Sequence, residues 1–323
     1  MCPELFRLPL LDRGVPAYGT MLMIGFLLAV FLARRRSGAL GLDPAQVFDL
    51  GFLTVIGGIL GARLMHVGLY WPDYFCSRAL WPKWMGPLGW IGAMVATWKG
   101  GLVYYGGLAG AVTAVWLYGR RKKIPLADML DFAAPPAALG LALTRIGCFL
   151  NGCCFGGPTS LPWGVKFPAG SHVYAMRDEA GRLIGFHEPF CVHPAQLYET
   201  LAALCIFGLL WYAYPRRRFA GAIAWSFGLL YAVWRFCNEF FRADSGPWRP
   251  TIGDTTLDLG PLTVFQYISI PLILFFAIML LVAWRRARPP HSPAAPEGGG
   301  SAGSAGGAGK GSSRAAGSEE AES

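Results

Sequence analysis

The chain has 323 residues, 54% of them hydrophobic and 15% charged, with a mean hydropathy of +0.41. Soluble domains carry about 25% charged residues, so this deficit, with long apolar runs, excludes an ordinary soluble domain and indicates a membrane protein. The net charge of +9 would suit nucleic acid, but the basic residues gather in short loops between apolar runs. That is a topology signal first and an anionic-lipid signal second, so the lipid bilayer is the expected partner and nucleic acid is not.

No basic n-region or small-residue cleavage site precedes the first apolar run, so it is expected to be retained as an anchor. Segment one runs from Tyr18 to Ala33 and ends at Arg34, Arg35 and Arg36. Segment two runs from Val47 to Tyr70, carries Gly57, Gly58 and Gly61, which allow close helix approach, and holds Arg63 and His66 near its far end. Residues 71–99 are rich in Trp, Pro and Gly and read as an interfacial loop. Segment three, Gly100 to Tyr118, is followed by a basic cluster from Arg120 to Lys123. Segment four, Met129 to Leu150, contains Pro135 and Pro136, which are expected to break or kink it.

Residues 151–196 form a long polar loop. Alternation in Trp163–Phe167 and around Arg182–Phe186, flanking a turn at Asp178–Gly181, predicts short strands and a small external α/β loop element. Segment five (Ala195 to Tyr214) closes on Arg216, Arg217 and Arg218, and segment six runs from Ala220 to Phe241. Segment seven (Leu262 to Trp284) closes on Arg285, Arg286 and Arg288. Residues 289–323 are dominated by Gly, Ser, Ala and Pro and are expected to be a disordered cytoplasmic tail, leaving residues 1–288 as one transmembrane domain.

A spanning helix needs about 20 residues, so the fold class is an all-α polytopic membrane protein with about seven transmembrane helices. Basic clusters follow segments one, three, five and seven, which puts the N-terminus outside and the C-terminus in the cytoplasm. The 151–196 loop then lies outside, and Arg145 approaches the outer half of the membrane.

Ionisable groups within apolar segments are expensive and mark function. Arg145 is one. Arg235 and Glu239 are four residues apart on one helix face, with Arg242 three residues further on. His193 opens the run to Glu199. Taken singly, each has a plainer reading: Arg242 as a snorkelling residue, Arg235 and Glu239 as a structural ion pair, His193 as a cap, Arg63 as a rim arginine. Taken together, several arginines at one depth with few carboxylates make a cationic pocket. The arginine fork suits phosphate, so a lipid-phosphate pocket opening to the outer leaflet is expected. The eight cysteines show no CxxC pair or zinc spacing.

Tyr18-Gly19, Gly61-Ala-Arg63, the glycine-rich Gly100 to Gly107, and Arg145-Ile-Gly-Cys-Phe-Leu-Asn-Gly-Cys-Cys-Phe-Gly156 follow one another along the chain. After them come His193-Pro-Ala-Gln-Leu-Tyr-Glu199, then Tyr231, Arg235, Glu239 and Arg242 at their spacing, then Leu262 to Gln266 with Ser269 to Pro271. In these motifs the chain resembles the prolipoprotein diacylglyceryl transferase family over most of residues 15–286. The resemblance implies a multi-pass enzyme of the bacterial inner membrane. It would move the diacylglyceryl group of phosphatidylglycerol to the lipobox cysteine thiol of a preprolipoprotein, the first step of lipoprotein maturation, with no metal or soluble cofactor.

It further implies that Arg145 and Arg235 stabilise the departing phosphate, with Arg242 in support, and that Glu239 orients an arginine or takes the thiol proton. Asn151 would hydrogen-bond the headgroup, Gly156 would permit close backbone approach, and Tyr18, Arg63, His193, Gln196 and Tyr231 would line the substrate site. Tyr105 stands where the family usually has a histidine and is the candidate catalytic residue there, and Cys148 and Cys153 stand where it usually has Asn and Glu. The proton-handling side is therefore altered while the arginine side is kept. Two other functions are compatible with these departures: different lipid-phosphate or thiol chemistry on the same scaffold, or non-enzymatic lipid binding or transport.

Overall fold

The computed structural model describes residues 4–8, 13–71, 92–94, 101–177, 183–242, 251–252, 255–256 and 262–287. The expected interfacial loop (apart from residues 71 and 92–94), the Asp178–Gly181 turn and the 289–323 tail lie outside the described residues. Seven long helices follow the apolar segments: α1 (Ala17–Arg34), α2 (Pro44–Leu69), α3 (Tyr104–Lys122), α4 (Leu126–Asn151), α5 (Ala195–Ala213), α6 (Ala222–Asn238) and α7 (Val264–Arg286). Five of them (α1, α2, α4, α5 and α7) are long and apolar enough to cross a membrane.

Local sequence sets the helix ends. Asp43 and Gln46 cap α2 reciprocally behind Pro44 at its first position, and Thr263 with Gln266 does the same for α7; each pairing satisfies two otherwise orphaned backbone donors. The last turn of α3 carries Arg120, Arg121 and Lys122, which suits the negative end of a helix dipole. The proline pair that should break α4 does not. Pro135 and Pro136 both lie inside an unbroken, buried helix, because packing on α1, α3, α5 and α6 outweighs the lost backbone bonds.

That packing makes α4 the central helix. Its Phe132, Ala134 and Ala138 join Val47, Val115, Ile206, Leu210 and Ile223 in one core. α2 packs on α3, and α7 on α6. The α2–α3 contact is made by glycines on both sides: a Cβ on Gly110 would collide with the Gly57 carbonyl oxygen, and one on Gly61 with that of Gly106. Such close approach is how helices associate in lipid, where apolar burial gives no advantage over the tails.

One end of the bundle is tied by charge. Asp131 is fully buried and accepts from Arg217 Nη1 at 2.9 Å and from the backbone N–H groups of Gly221 and Ala224 at 2.8 Å each. Arg217 Nη2 also reaches Asp128 at 2.7 Å, and Arg36 stacks over Trp211 at 3.4 Å. Arg217, after α5, thus meets the start of α4, whose Asp131 binds the start of α6, and Arg36, after α1, meets the end of α5.

Among the described residues, three two-stranded antiparallel ladders accompany the helices. β1 (Glu4–Leu8) pairs with β2 (Arg13–Pro16), β3 (Ala175–Arg177) with β4 (Leu183–Phe186), and β5 (Thr251–Ile252) with β6 (Thr255–Thr256). The alternating stretch Trp163–Phe167 forms no strand; it contributes one isolated bridge, Val165 to Val192.

Candidate active site

The other end of the bundle gathers the start of α5, the end of α4, the end of α6 and the start of α7. Arg145, one turn and a half from the end of α4, places Nη2 2.9 Å from Oε1 of Glu199. Glu199 is 1% exposed and also accepts from Tyr231 at 3.3 Å and from Asn238 Nδ2 at 3.4 Å. The partner of Arg145 therefore lies on α5.

Glu239 belongs to a second cluster. Arg235 Nη1 lies 2.5 Å from its Oε2, Arg242 Nε lies 4.0 Å from the same oxygen, and Thr263 donates to its Oε1 at 3.0 Å. Glu239 sits in a short 3-10 turn, Glu239–Phe241, that ends α6 before Arg242. Phe265 lies beneath the Arg235 guanidinium at 4.6 Å. The two clusters hold three guanidinium groups against two carboxylates, an excess of one positive charge. The buried Nε of Arg145 has no hydrogen-bond partner among the described residues. A buried donor left unsatisfied is costly, and this arrangement is suited to an incoming anion with planar, bidentate acceptors.

Three loop connections brace this end. Gly156 donates to the His193 carbonyl at 2.9 Å, Gly157 to that of Phe241 at 2.9 Å, and His193 to that of Gly157 at 2.9 Å. A side chain at Gly156 would collide with the Phe241 carbonyl, so the close approach that Gly156 permits is between protein backbones. His193 sets Nδ1 3.2 Å from the Tyr198 hydroxyl, and Trp163 donates to that hydroxyl at 2.8 Å. Gln196 is buried and donates from Nε2 to the Cys153 carbonyl at 2.8 Å.

Other expected site residues are distributed less simply. Arg63 directs Nε, Nη1 and Nη2 at the carbonyls of Met94, Gly101 and Ala93, at 2.8, 2.9 and 2.6 Å, so its guanidinium fastens chain segments around α2. Tyr105 is 54% exposed and meets Tyr104 edge-on at 5.8 Å. Tyr104 is 72% exposed and lies within electrostatic range of Arg145 and Glu199. Tyr18 lies beside Arg145 and the sulfurs of Cys148, Cys153 and Cys154.

The end of α4 folds those three cysteines together. Gly152 adopts φ 73° and Cys154 φ 60°, with Gly152 N–H on the Phe149 carbonyl at 3.2 Å and Cys153 N–H on that of Cys148 at 3.1 Å. The side chain of Asn151 hydrogen-bonds to Cys153. Cys154, past the end of the helix, has its thiol pushed well below the ordinary range by hydrogen bonds from Cys148 and Cys153, and then by Arg242 and Arg145.

Sequence reasoning left four contributors unassigned: Glu199, Asn238, Tyr104 and Thr263. A signal existed for the first, since a carboxylate within an apolar segment requires a cation.

A helical membrane protein with a buried, net-positive arginine–carboxylate site at one end of its bundle is the class these observations define. The family model described as "Prolipoprotein diacylglyceryl transferase" matches residues 3–282, and the chain belongs to that family. Among its relatives, the phosphatidylglycerol–prolipoprotein diacylglyceryl transferase of Nitratidesulfovibrio vulgaris (strain Miyazaki F) is 34% identical over 281 residues, covering 86% of this chain and 92% of the relative. The enzyme of the same name from Geobacter sulfurreducens is 35% identical over 289 residues, covering 88% and 96%. That from Chromohalobacter salexigens is 33% identical over 273 residues, covering 84% and 88%.

Proposed function

We propose that this protein transfers the diacylglyceryl group of phosphatidylglycerol to the lipobox cysteine thiol of a preprolipoprotein, the first step of lipoprotein maturation. A thiolate is the nucleophile, and its sulfur bonds to the glyceryl methylene carbon. The carbon–oxygen bond to phosphate breaks, its electron pair stays on the phosphate oxygen, and glycerol phosphate leaves. Charge therefore grows on the phosphate in the transition state, where preorganised guanidinium donors stabilise it most.

The observation that carries this reading is the buried Nε of Arg145, without a hydrogen-bond partner among the described residues, in a site with one excess positive charge. Arg145 and Arg235 are assigned to the departing phosphate, with Arg242 supporting. Glu199 and Glu239 hold these arginines in register. Tyr18, Asn151, Gln196 and Tyr231 line the approach, His193 and Gly156 shape its rim, and Arg63 acts through the segments it fastens. Tyr231, 3.3 Å from Glu199, is the tyrosine closest to the Arg145–Glu199 pair, and Tyr105 is kept as the candidate at the position of the family's histidine.

The same reading has all seven helices crossing the bacterial inner membrane, with the N-terminus and the 151–196 α/β loop outside and the basic helix ends inside. Complementation tests the function. Expression in a cell depleted of its own transferase should restore growth and lipid-modified prolipoprotein; good membrane expression without either would overturn it.

A further inference from the structure

Cys148, Cys153 and Cys154 bring their Sγ atoms within 4.8 Å of one another. All three are free thiols, Cys148 buried and the other two half-buried. They are not a chance surface grouping. The left-handed turn at Gly152 and the Gln196 bond to the Cys153 carbonyl hold the cluster at the end of α4, three residues beyond Arg145 at its nearest. Among the described residues, no His, Asp, Glu or further Cys joins the three.

Three convergent thiols suit a thiophilic metal ion. Around zinc, with Zn–S bonds of about 2.3 Å, tetrahedral ligands stand about 3.8 Å apart. A small rotation of thiol side chains brings the cluster to that spacing. Structural zinc sites are closed by four protein ligands, whereas catalytic sites keep three and leave the fourth position to substrate. A zinc tris-thiolate carries one negative charge, and a fourth thiolate adds another. Arg145, on the same helix as Cys148, and Arg242, whose backbone bridges to Gly156, lie where that charge needs compensation.

We infer that Cys148, Cys153 and Cys154 form a zinc site whose open fourth position takes the thiol of the incoming lipobox cysteine. The inference rests on the transferase reading above for the identity of that thiol, not for the metal site itself. A coordinating thiol is deprotonated outright, so zinc supplies the deprotonation that a histidine base would otherwise provide. The coordinated sulfur loses its proton to water and attacks the glyceryl methylene carbon. The C–O bond breaks with its electron pair to the phosphate oxygen, and the neutral thioether, a weaker ligand, departs. Zinc keeps its charge throughout.

The full chain, purified in detergent from zinc-supplied cells, should hold about one zinc per chain by elemental mass spectrometry. Cys148→Ser and Cys153→Ser should each lose it, while Cys191→Ser and Cys205→Ser keep it. Chelator-stripped wild-type protein refilled with Co2+ should show thiolate-to-cobalt charge transfer. A lipobox peptide should change that spectrum, and its Cys→Ser analogue should not. Absence of zinc with all three thiols freely alkylated, a disulfide within the cluster, or zinc retained in Cys153→Ser would each overturn the site. Transfer assays on the same samples separate the two claims. Zinc bound without any transfer sinks the transferase reading and leaves the metal site standing; full transfer by the stripped protein sinks the metal's role and leaves the transferase reading standing.

Discussion

Arg145 and Glu199 meet at 2.9 Å across α4 and α5, with the carboxylate buried and Tyr231 and Asn238 bonded to the same group. Removing one partner of a buried ion pair leaves an uncompensated charge and costs about 3–5 kcal/mol. Glu199→Gln should therefore lower both thermal stability in detergent and transfer rate. Arg145→Lys keeps the charge but loses the planar fork. It should remain folded and lose at least about 100-fold in kcat, the scale of losing a transition-state donor, with a smaller change in KM.

Glu239 is shared by Arg235, Arg242 and Thr263. Thr263→Val removes both its hydrogen bond to Glu239 and the cap of α7, and loss of a cap alone is worth about 0.5–2 kcal/mol. The variant should melt earlier and show reduced kcat per folded molecule, because Arg235 loses the fixed position of its partner. Unchanged kcat would separate the cap from the site.

Asp131 provides a contrast at the opposite end. It is fully buried and accepts three hydrogen bonds, so Asp131→Ala leaves Arg217 with Asp128 alone and strands two backbone donors, at about 3–5 kcal/mol. A large fall in melting temperature is expected, with the rate per folded molecule retained.

The glycine contact between α2 and α3 predicts a steric pattern. Gly110→Val drives side-chain atoms into the Gly57 carbonyl; overpacking costs about 1–3 kcal/mol even where side chains can move, and backbone cannot. Folded yield should collapse. Gly140→Ala meets no heavy atom within 4 Å and should fold normally.

Tyr104 lies within electrostatic range of the Arg145–Glu199 pair, and both it and Tyr105 are exposed. Tyr104→Phe should lower kcat more than Tyr105→Phe in parallel transfer assays.

Much of this was legible in the sequence because membrane helices announce themselves by length and apolarity. The ends of α1 and α5 fall within a residue of the expected boundaries, and the Arg235–Glu239 spacing gave their pairing directly. Pro135 and Pro136 misled because local backbone preference was overridden by burial against four neighbouring helices. The partner of Arg145 was missed because Glu199 is 54 residues away in sequence, and no periodicity links two helices across a loop. The cysteine cluster had no zinc-like spacing; it arises from the left-handed turn at Gly152, which brings residues five and six positions on back to Cys148.

The most direct measurement of the central claim incubates the detergent-purified, zinc-replete chain with phosphatidylglycerol and a lipobox peptide and weighs the peptide by mass spectrometry. A gain of one diacylglyceryl group on the cysteine, matched by released glycerol phosphate and lost in Arg145→Ala, is the predicted result. An unmodified peptide from folded protein, or full modification by Arg145→Ala, would contradict the account.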